Sequence, residues 1–329
     1  MIPILYPENE TDFVSNGIGG LSCATSCTVT EERNGSYELT MVYPVAGWHF
    51  KEIRYKRYIM AVPADGEKPQ PFEIYSISKP ISGKVTIKAR HISYQLSYIV
   101  TLPGEKEKTA ETALQSLGDL ATTDCPFDFS SDIIAKGTFQ NSTPQSIRAL
   151  LGGQAGSILD VFGGEYLFDG YKVKLLKNRG STIPVSLEYG KNIIDLQQEE
   201  NIASTYTAVI AFWKNQTTTG EVKTVYGDLI KSANADNFPY VRTMALDVST
   251  EYKTPPTKEQ LTKRAETYVR ANKIGVPKVS VKVSFVALWQ TEEYKNIEPL
   301  QRIHLCDTIK VVFRDLGIDS HAKVTKTTY

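Results

Sequence analysis

Glu165-Tyr166-Leu167-Phe168-Asp169-Gly170-Tyr171-Lys172-Val173-Lys174-Leu175 reads as a β-hairpin. Asp169-Gly170 fits a type I′ turn between two runs of strand composition. In that register Phe168 faces Tyr171 and Tyr166 faces Val173 on one side, while Glu165 meets Lys174 on the other. The segment before it is helical in pattern. From Thr109 the apolar positions Ala110, Ala113, Leu114, Leu117, Leu120 and Ala121 recur at helical spacing. A second helix is expected from Thr143 as N-cap with Pro144 at the first helical position, an apolar stripe of Ile147, Leu150 and Leu151, and Gly152-Gly153 at its end. A short third helix runs through Ser157–Phe162 and stops at Gly163-Gly164. Helices followed by a hairpin make residues 100–184 a small α+β unit.

On both sides of that unit the pattern is β. Strands are expected at Cys27–Glu32, Tyr37–Tyr43, Tyr58–Val62, Pro71–Tyr75 and Lys84–Ala89, separated by turn residues such as Asn16-Gly17 and Asn34-Gly35. A strict two-residue turn at Asn34-Gly35 would set Glu31 against Glu38, so a longer loop is expected there. Many short strands point to a barrel or a sandwich. After residue 185, Thr205–Trp213 is a strand, and 214–240 is polar and turn-rich, an exposed hairpin or a loop. Thr257 and Gln260 have capping-box spacing ahead of a helix over 257–274, with Leu261, Ala265, Tyr268, Val269 and Ile274 on its apolar face. Strands follow at Val279–Trp289, Thr308–Phe313 and from Ala322 onward. The fold class is therefore α+β and β-rich. With 329 residues and 36.7 kDa, two to four domains are expected.

Lys plus Arg and Asp plus Glu are each 37, so the net charge is zero. A protein that grips nucleic acid by counterion release usually carries a basic excess. The 18 tyrosines suit strands and wet protein interfaces. The N-terminus lacks signal-peptide character and no run is long enough to span a bilayer, so membrane insertion is not expected and the four cysteines should stay reduced in a cytoplasm.

The chemistry-bearing residues form no catalytic pattern. His49, His91, His304 and His321 show no paired metal spacing. Cys23 and Cys27, taken as one strand, share a face but stand roughly 13 Å apart, too far for one zinc ion or one disulfide. Gly17-Ile18-Gly19-Gly20 reads as a turn rather than a phosphate loop, and Ser157 as an N-cap rather than a nucleophile. Glu199-Glu200 and Glu292-Glu293 are adjacent in sequence, which does not place them in a shared cleft. Lys51, Arg54, Lys56 and Arg57, interleaved with Tyr55 and Tyr58, are a modest basic cluster whose default reading is an exposed, solvated segment. No catalytic, cofactor-binding or metal-binding residue is assigned, and no cofactor is expected.

Several blocks resemble the prophage tail (tail-associated) protein family. They are Leu151-Gly152-Gly153, Ser157–Asp160, Phe162–Tyr171, Val173–Gly180, Tyr189–Ile193, Leu305–Thr308, Leu316–Asp319 and Lys323–Thr327, in order. The resemblance implies a baseplate-hub-like protein. Such hubs are trimers whose barrel-like domains build a ring that continues and closes the tail tube at the virion tail tip, after assembly in the host bacterial cytoplasm. The implied partners are further copies of the chain, the distal tail protein, the tail tube and the tape measure protein, with DNA passing through the lumen without specific binding. The implied domains are a discontinuous β domain over 1–99 and 185–205, the inserted α+β domain over 100–184, and a β-barrel-like region over 206–329 with one helix, forming one or two subdomains. Part of the family carries a peptidoglycan-cleaving endopeptidase label, but no recognisable peptidase domain lies in this chain, so it is read as a non-enzyme. A third reading is a carbohydrate- or receptor-binding tail module, with Trp48, Trp213 and Trp289 as candidate platforms.

Overall fold

The computed structural model describes residues 2–78, 81, 83–188, 193–203, 205–215, 223–249, 251–252, 254–272, 274–276, 278–285, 302–313 and 318–329. They form two compact units, one of residues 1–192 with 287–329 and one of 193–286.

The first unit is built on a curled antiparallel sheet. Its strands are β1 (Ile4–Tyr6), β2 (Gly19–Gly20), β3 (Ser26–Glu32), β4 (Tyr37–Pro44), β5 (Tyr58–Ala61), β6 (Gln70–Ser78) and β7 (Lys84–His91). They lie in the order β2-β1-β5-β6-β7-β4-β3, and the C-terminal strand Lys326–Thr328 adds to β3. Alternation sets the core face: Tyr37, Leu39, Met41 and Tyr43 of β4 are buried, as are Val85, Ile87 and Ala89 of β7. A bulge at Tyr75 shifts the β6–β7 register, pairing Ile74 with Ala89 and Ile77 with Ile87. That extra residue lets two side chains three apart reach the same core. The β3–β4 loop is longer than its Asn-Gly dipeptide, as expected. Glu31 faces Tyr37 rather than Glu38, and Asn34 takes φ +55°.

The helical segment follows, and it shares the core of the sheet rather than owning one. It comprises β8 (Val100–Thr101), α1 (Ala110–Asp119), β9 (Asp128–Ser131), β10 (Gln145–Ser146), α2 (Ile147–Leu151), α3 (Ile158–Phe162), β11 (Glu165–Asp169) and β12 (Lys172–Leu176). Ala113, Leu114, Leu117, Ile147, Leu150, Val173 and Leu175 join Leu39, Phe72 and Ile87 in one apolar cluster. Two local expectations are corrected here. The second helix starts later, with Ser146 as N-cap in place of Thr143, because Gln145–Ser146 are held as a strand against Val100–Thr101. In the hairpin the central turn residues are Gly170-Tyr171, with Asp169 opposite Lys172, Phe168 opposite Val173 and Tyr166 opposite Leu175. Only the glycine takes positive φ there, +55°, which fits a turn with glycine at its first central position. The change sets an acid against a base beside the turn and frees Glu165 from Lys174.

β13 (Thr182–Glu188) leads out of this segment. The second unit contains β14 (Ile193–Asn201), β15 (Ala208–Lys214), β16 (Thr224–Tyr226), β17 (Ile230–Lys231), β18 (Thr243–Asp247), α4 (Lys258–Ala271) and β19 (Lys278–Phe285). β15 is the centre of a four-stranded sheet, pairing with β16, β17 and β18, while β14 pairs with β19. Both halves of the expected capping box of α4 are made, between Thr257 and Gln260. Leu261 and Ala265 are buried with Val209, Ala211 and Trp213. Part of the polar stretch 214–240 pairs back onto β15, and 216–222 lie outside the described residues.

The chain then returns to the first unit with β20 (Thr308–Phe313) and β21 (Ile318–Lys323); β20 pairs with β13 and β21. The compact division thus separates residues 287–329 from 206–286. The physical reason is the ladder of the C-terminal strand on β3, together with β20 on β13.

Candidate functional site

His91 is fully buried, stacked on Tyr37 at 4.4 Å. Its Nδ1 pairs with the Ser93 hydroxyl and its Nε2 with the Gln70 side chain, at 3.0 and 3.2 Å. Burial, reinforced by Arg148 and Arg179, pushes its pKa down to about 3. It is a neutral core histidine closed off from any substrate. His304 lies 3.7 Å from Asp307 and 3.8 Å from Glu67, whereas His321 is exposed. Asp307 is already used: it accepts from the backbone N–H groups of Ser181 and His304. Among the described residues no three His, Cys, Asp or Glu side chains are grouped to hold a metal ion.

The other candidates separate. Cys23 sits in a turn outside β3, closed by the Ala24 N–H to Leu21, so it does not share a strand with Cys27; both thiols are free. Burial raises the Cys27 pKa to about 11, far from thiolate chemistry at neutral pH. Ser157 caps α3 by accepting from the Asp160 N–H. Gly19-Gly20 form β2, and Gly17 takes φ +58° in the turn before it. The backbones of Glu199 and Glu200 pair with Ser280 and Val279 in a ladder. Glu292-Glu293, Trp289 and the family blocks at 189–192 and 316–317 lie outside the described residues. Trp213 is core and donates to the Tyr252 carbonyl, whereas Trp48 is 78% exposed.

Two arrangements do gather charge. The first is an internal tie. Arg179 grips buried Glu31 with two nitrogens, at 2.5 and 3.1 Å. Glu165, also buried, pairs with Arg33 at 3.0 Å and Lys323 at 2.5 Å and accepts from the Arg179 backbone N–H. Asn34 completes the tie, bonding the backbone of Gly164 and Tyr166. Burial pushes the Glu165 carboxyl up, but Lys323, the Arg179 amide and Arg33 together outweigh it and hold it below the usual range. Every carboxylate here is already compensated by cations or N–H donors. The cluster joins the β3–β4 loop, the hairpin and the C-terminal strands, and holds rather than reacts. Sequence reading missed it because its members are 148 and 158 residues apart; Glu165 was read only against Lys174 in the hairpin, Glu31 only against Glu38, and Arg179 and Lys323 only within the family blocks.

The second arrangement is on the surface. Tyr6 of β1 pairs with Tyr58 of β5, so the loop after β1 and the loop before β5 leave the same end of adjacent strands. The loop after β1 exposes Glu8 and Asp12; the other exposes Lys51, Arg54, Tyr55 and Lys56, while Arg57 is tied to Glu52. Lys51, Arg54, Tyr55 and Lys56 of the basic cluster are thus exposed as read, whereas Arg57 is half-buried and Tyr58 buried; the acidic loop after β1 went unread because three-dimensional neighbourhood is not visible in separate segments.

Residues 182–329 match the model of a family described as prophage endopeptidase tail. No curated protein matches the chain. In fold the chain is similar to prophage tail protein gp18 from Listeria monocytogenes EGD-e, with 15% identity, 100% of this chain and 90% of that chain covered and a TM-score of 0.61. It is similar to the 43 kDa tail protein of prophage MuSo2 from Shewanella oneidensis, at 12% identity, 100% and 94% coverage and a TM-score of 0.66. A tail protein from Neisseria meningitidis MC58 gives 10% identity, 92% and 86% coverage and a TM-score of 0.60. The chain therefore resembles the prophage tail family in sequence over its C-terminal part and in fold over its length.

Proposed function

From a fold shared with prophage tail proteins over their length, we propose that this chain is a structural component of a phage tail, placed at its distal tip as a hub. Copies form a ring, a trimer, that continues and closes the tail tube and links it to the baseplate or fibre. The distal tail protein, tail tube and tape measure protein are its neighbours, and DNA passes through the lumen without specific binding. One observation carries the reading: the β-rich chain, sheet and helical segment together, matches three tail proteins over 92–100% of its length. The buried carboxylates fit this role, since they spend their charge tying distant segments into one core.

The test is absolute mass by light scattering across a concentration series. The ring reading predicts a species of three times 36.7 kDa as concentration rises. A strict monomer throughout contradicts a ring closed by contacts between copies.

A further inference from the structure

We propose that Asn16-Gly17 is a self-modifying site, at which the asparagine loses ammonia and becomes aspartate or isoaspartate without an enzyme. The inference goes beyond the ring reading and does not depend on it. An asparagine side chain is open to attack by the main-chain nitrogen of the next residue. Glycine allows the attack most readily, because it has no Cβ to hinder the approach. The new bond joins the Gly17 nitrogen to the Asn16 Cγ, and the bond from Cγ to Nδ2 breaks. The Gly17 N–H proton leaves with the amide nitrogen as ammonia. The five-membered succinimide that remains takes up one water at either of its two carbonyls. Opening at one restores the main chain with an aspartate. Opening at the other diverts the main chain through the side-chain carbons, giving isoaspartate. The chain holds two Asn-Gly pairs, Asn16-Gly17 and Asn34-Gly35, and the structure separates them.

Asn16 and Gly17 are both exposed, in the turn between β1 and β2. No described residue bonds the Asn16 side chain, so its amide is free to swing onto Gly17. The Gly17 N–H donates to the Ser15 hydroxyl at 3.1 Å, and Gly17 takes φ +58°. Asn34, in contrast, is held at both ends of its amide. Its Oδ1 accepts from the Tyr166 N–H at 2.8 Å, and its Nδ2 donates to the Gly164 carbonyl at 3.0 Å. The Gly35 N–H is bonded to the Glu32 carbonyl at 3.0 Å. Ring closure at Asn34 must first break all of these bonds, whereas at Asn16 it gives up only the bond to Ser15. Modification at Asn16 changes more than a charge. A Cβ on Gly17 would fall 2.4 Å from the Leu5 carbonyl oxygen, and the Ile18 N–H donates to that same oxygen at 2.7 Å. Isoaspartate adds one main-chain atom just before this contact. It should pull Ile18 off Leu5 and loosen β2 from β1, where Leu5 stands opposite Gly19 and Ile4 opposite Gly20.

Ageing the full chain at mildly alkaline pH, followed by peptide mapping in a mass spectrometer, tests this. The peptide holding Asn16 should exchange NH2 for OH, and an isoaspartyl methyltransferase should label part of the product. It should convert about tenfold or more faster than the peptide holding Asn34. In urea the two sites should convert at similar rates, because the protection of Asn34 comes from the fold. Asn16→Gln keeps an exposed amide but must close a less favourable six-membered ring, so its peptide should stay unmodified. Amide hydrogen exchange at Ile18 should speed up in the aged wild type and not in the aged N16Q chain. Native conversion of Asn34 as fast as Asn16 overturns the proposal. So does an Asn16 that stays intact in the native chain while converting in urea. Unchanged exchange at Ile18 after full conversion overturns the loosening of β2. Each readout is made within one chain, so none of these results bears on the ring reading.

Discussion

At the scale of single residues, buried polar groups define the chemistry of the first unit. His91 is neutral in the fold because burial and two arginines hold its pKa near 3. In the unfolded chain it titrates near 6.5. As pH falls from 6.5 towards 3, the unfolded state takes up a proton that the native state refuses. Stability should therefore decline by about 1.4 kcal/mol per pH unit over that window and be unaffected above it. Urea unfolding at stepped pH should show that slope, and His91→Gln should flatten it. Glu165 adds to the same acid limb. Its carboxyl is held low in the fold, so its contribution is present above its unfolded pKa and lost as pH falls through the folded value. The Arg179–Glu31 pair makes a sharper test. Arg179→Met leaves Glu31 buried without its cation and should cost about 3 kcal/mol, read as a lower urea midpoint. The double variant with Glu31→Gln should recover part of that loss.

At the scale of elements, what was legible in the sequence was local. Helix α1 announced itself by the spacing of Ala113, Leu114 and Leu117, and α4 by its capping box, because caps and stripes are made within a few residues. Thr257→Ala should lower the stability of the second unit by about 1 kcal/mol, measurable in the thermal melt. What was misread depended on partners far along the chain. Ser146 took over the cap of α2 because Gln145–Ser146 are held by Val100–Thr101. The hairpin register moved because glycine occupies the first central position and Leu175 gains a place opposite Tyr166. The face of each strand survived that move, since the pairing shifted by an even number of residues. The charge tie and the paired loops stayed hidden for the same reason: their members meet only after the sheet has formed.

At the scale of the whole molecule, the chain reads as an assembly part. No charge of one sign dominates the sequence, and among the described residues the buried acids Glu31 and Glu165 are tied to internal cations. On this account the purified chain clears no zone in a cell-wall zymogram, whereas clearing would favour the endopeptidase reading attached to the matched family. Position in the particle tests the central claim most directly. Antibody raised against this chain, carried on gold, should label particles induced from the prophage at a single site, the distal end of the tail. Gold along the length of the tube, on the head, or on no particle at all would contradict a tail-tip hub.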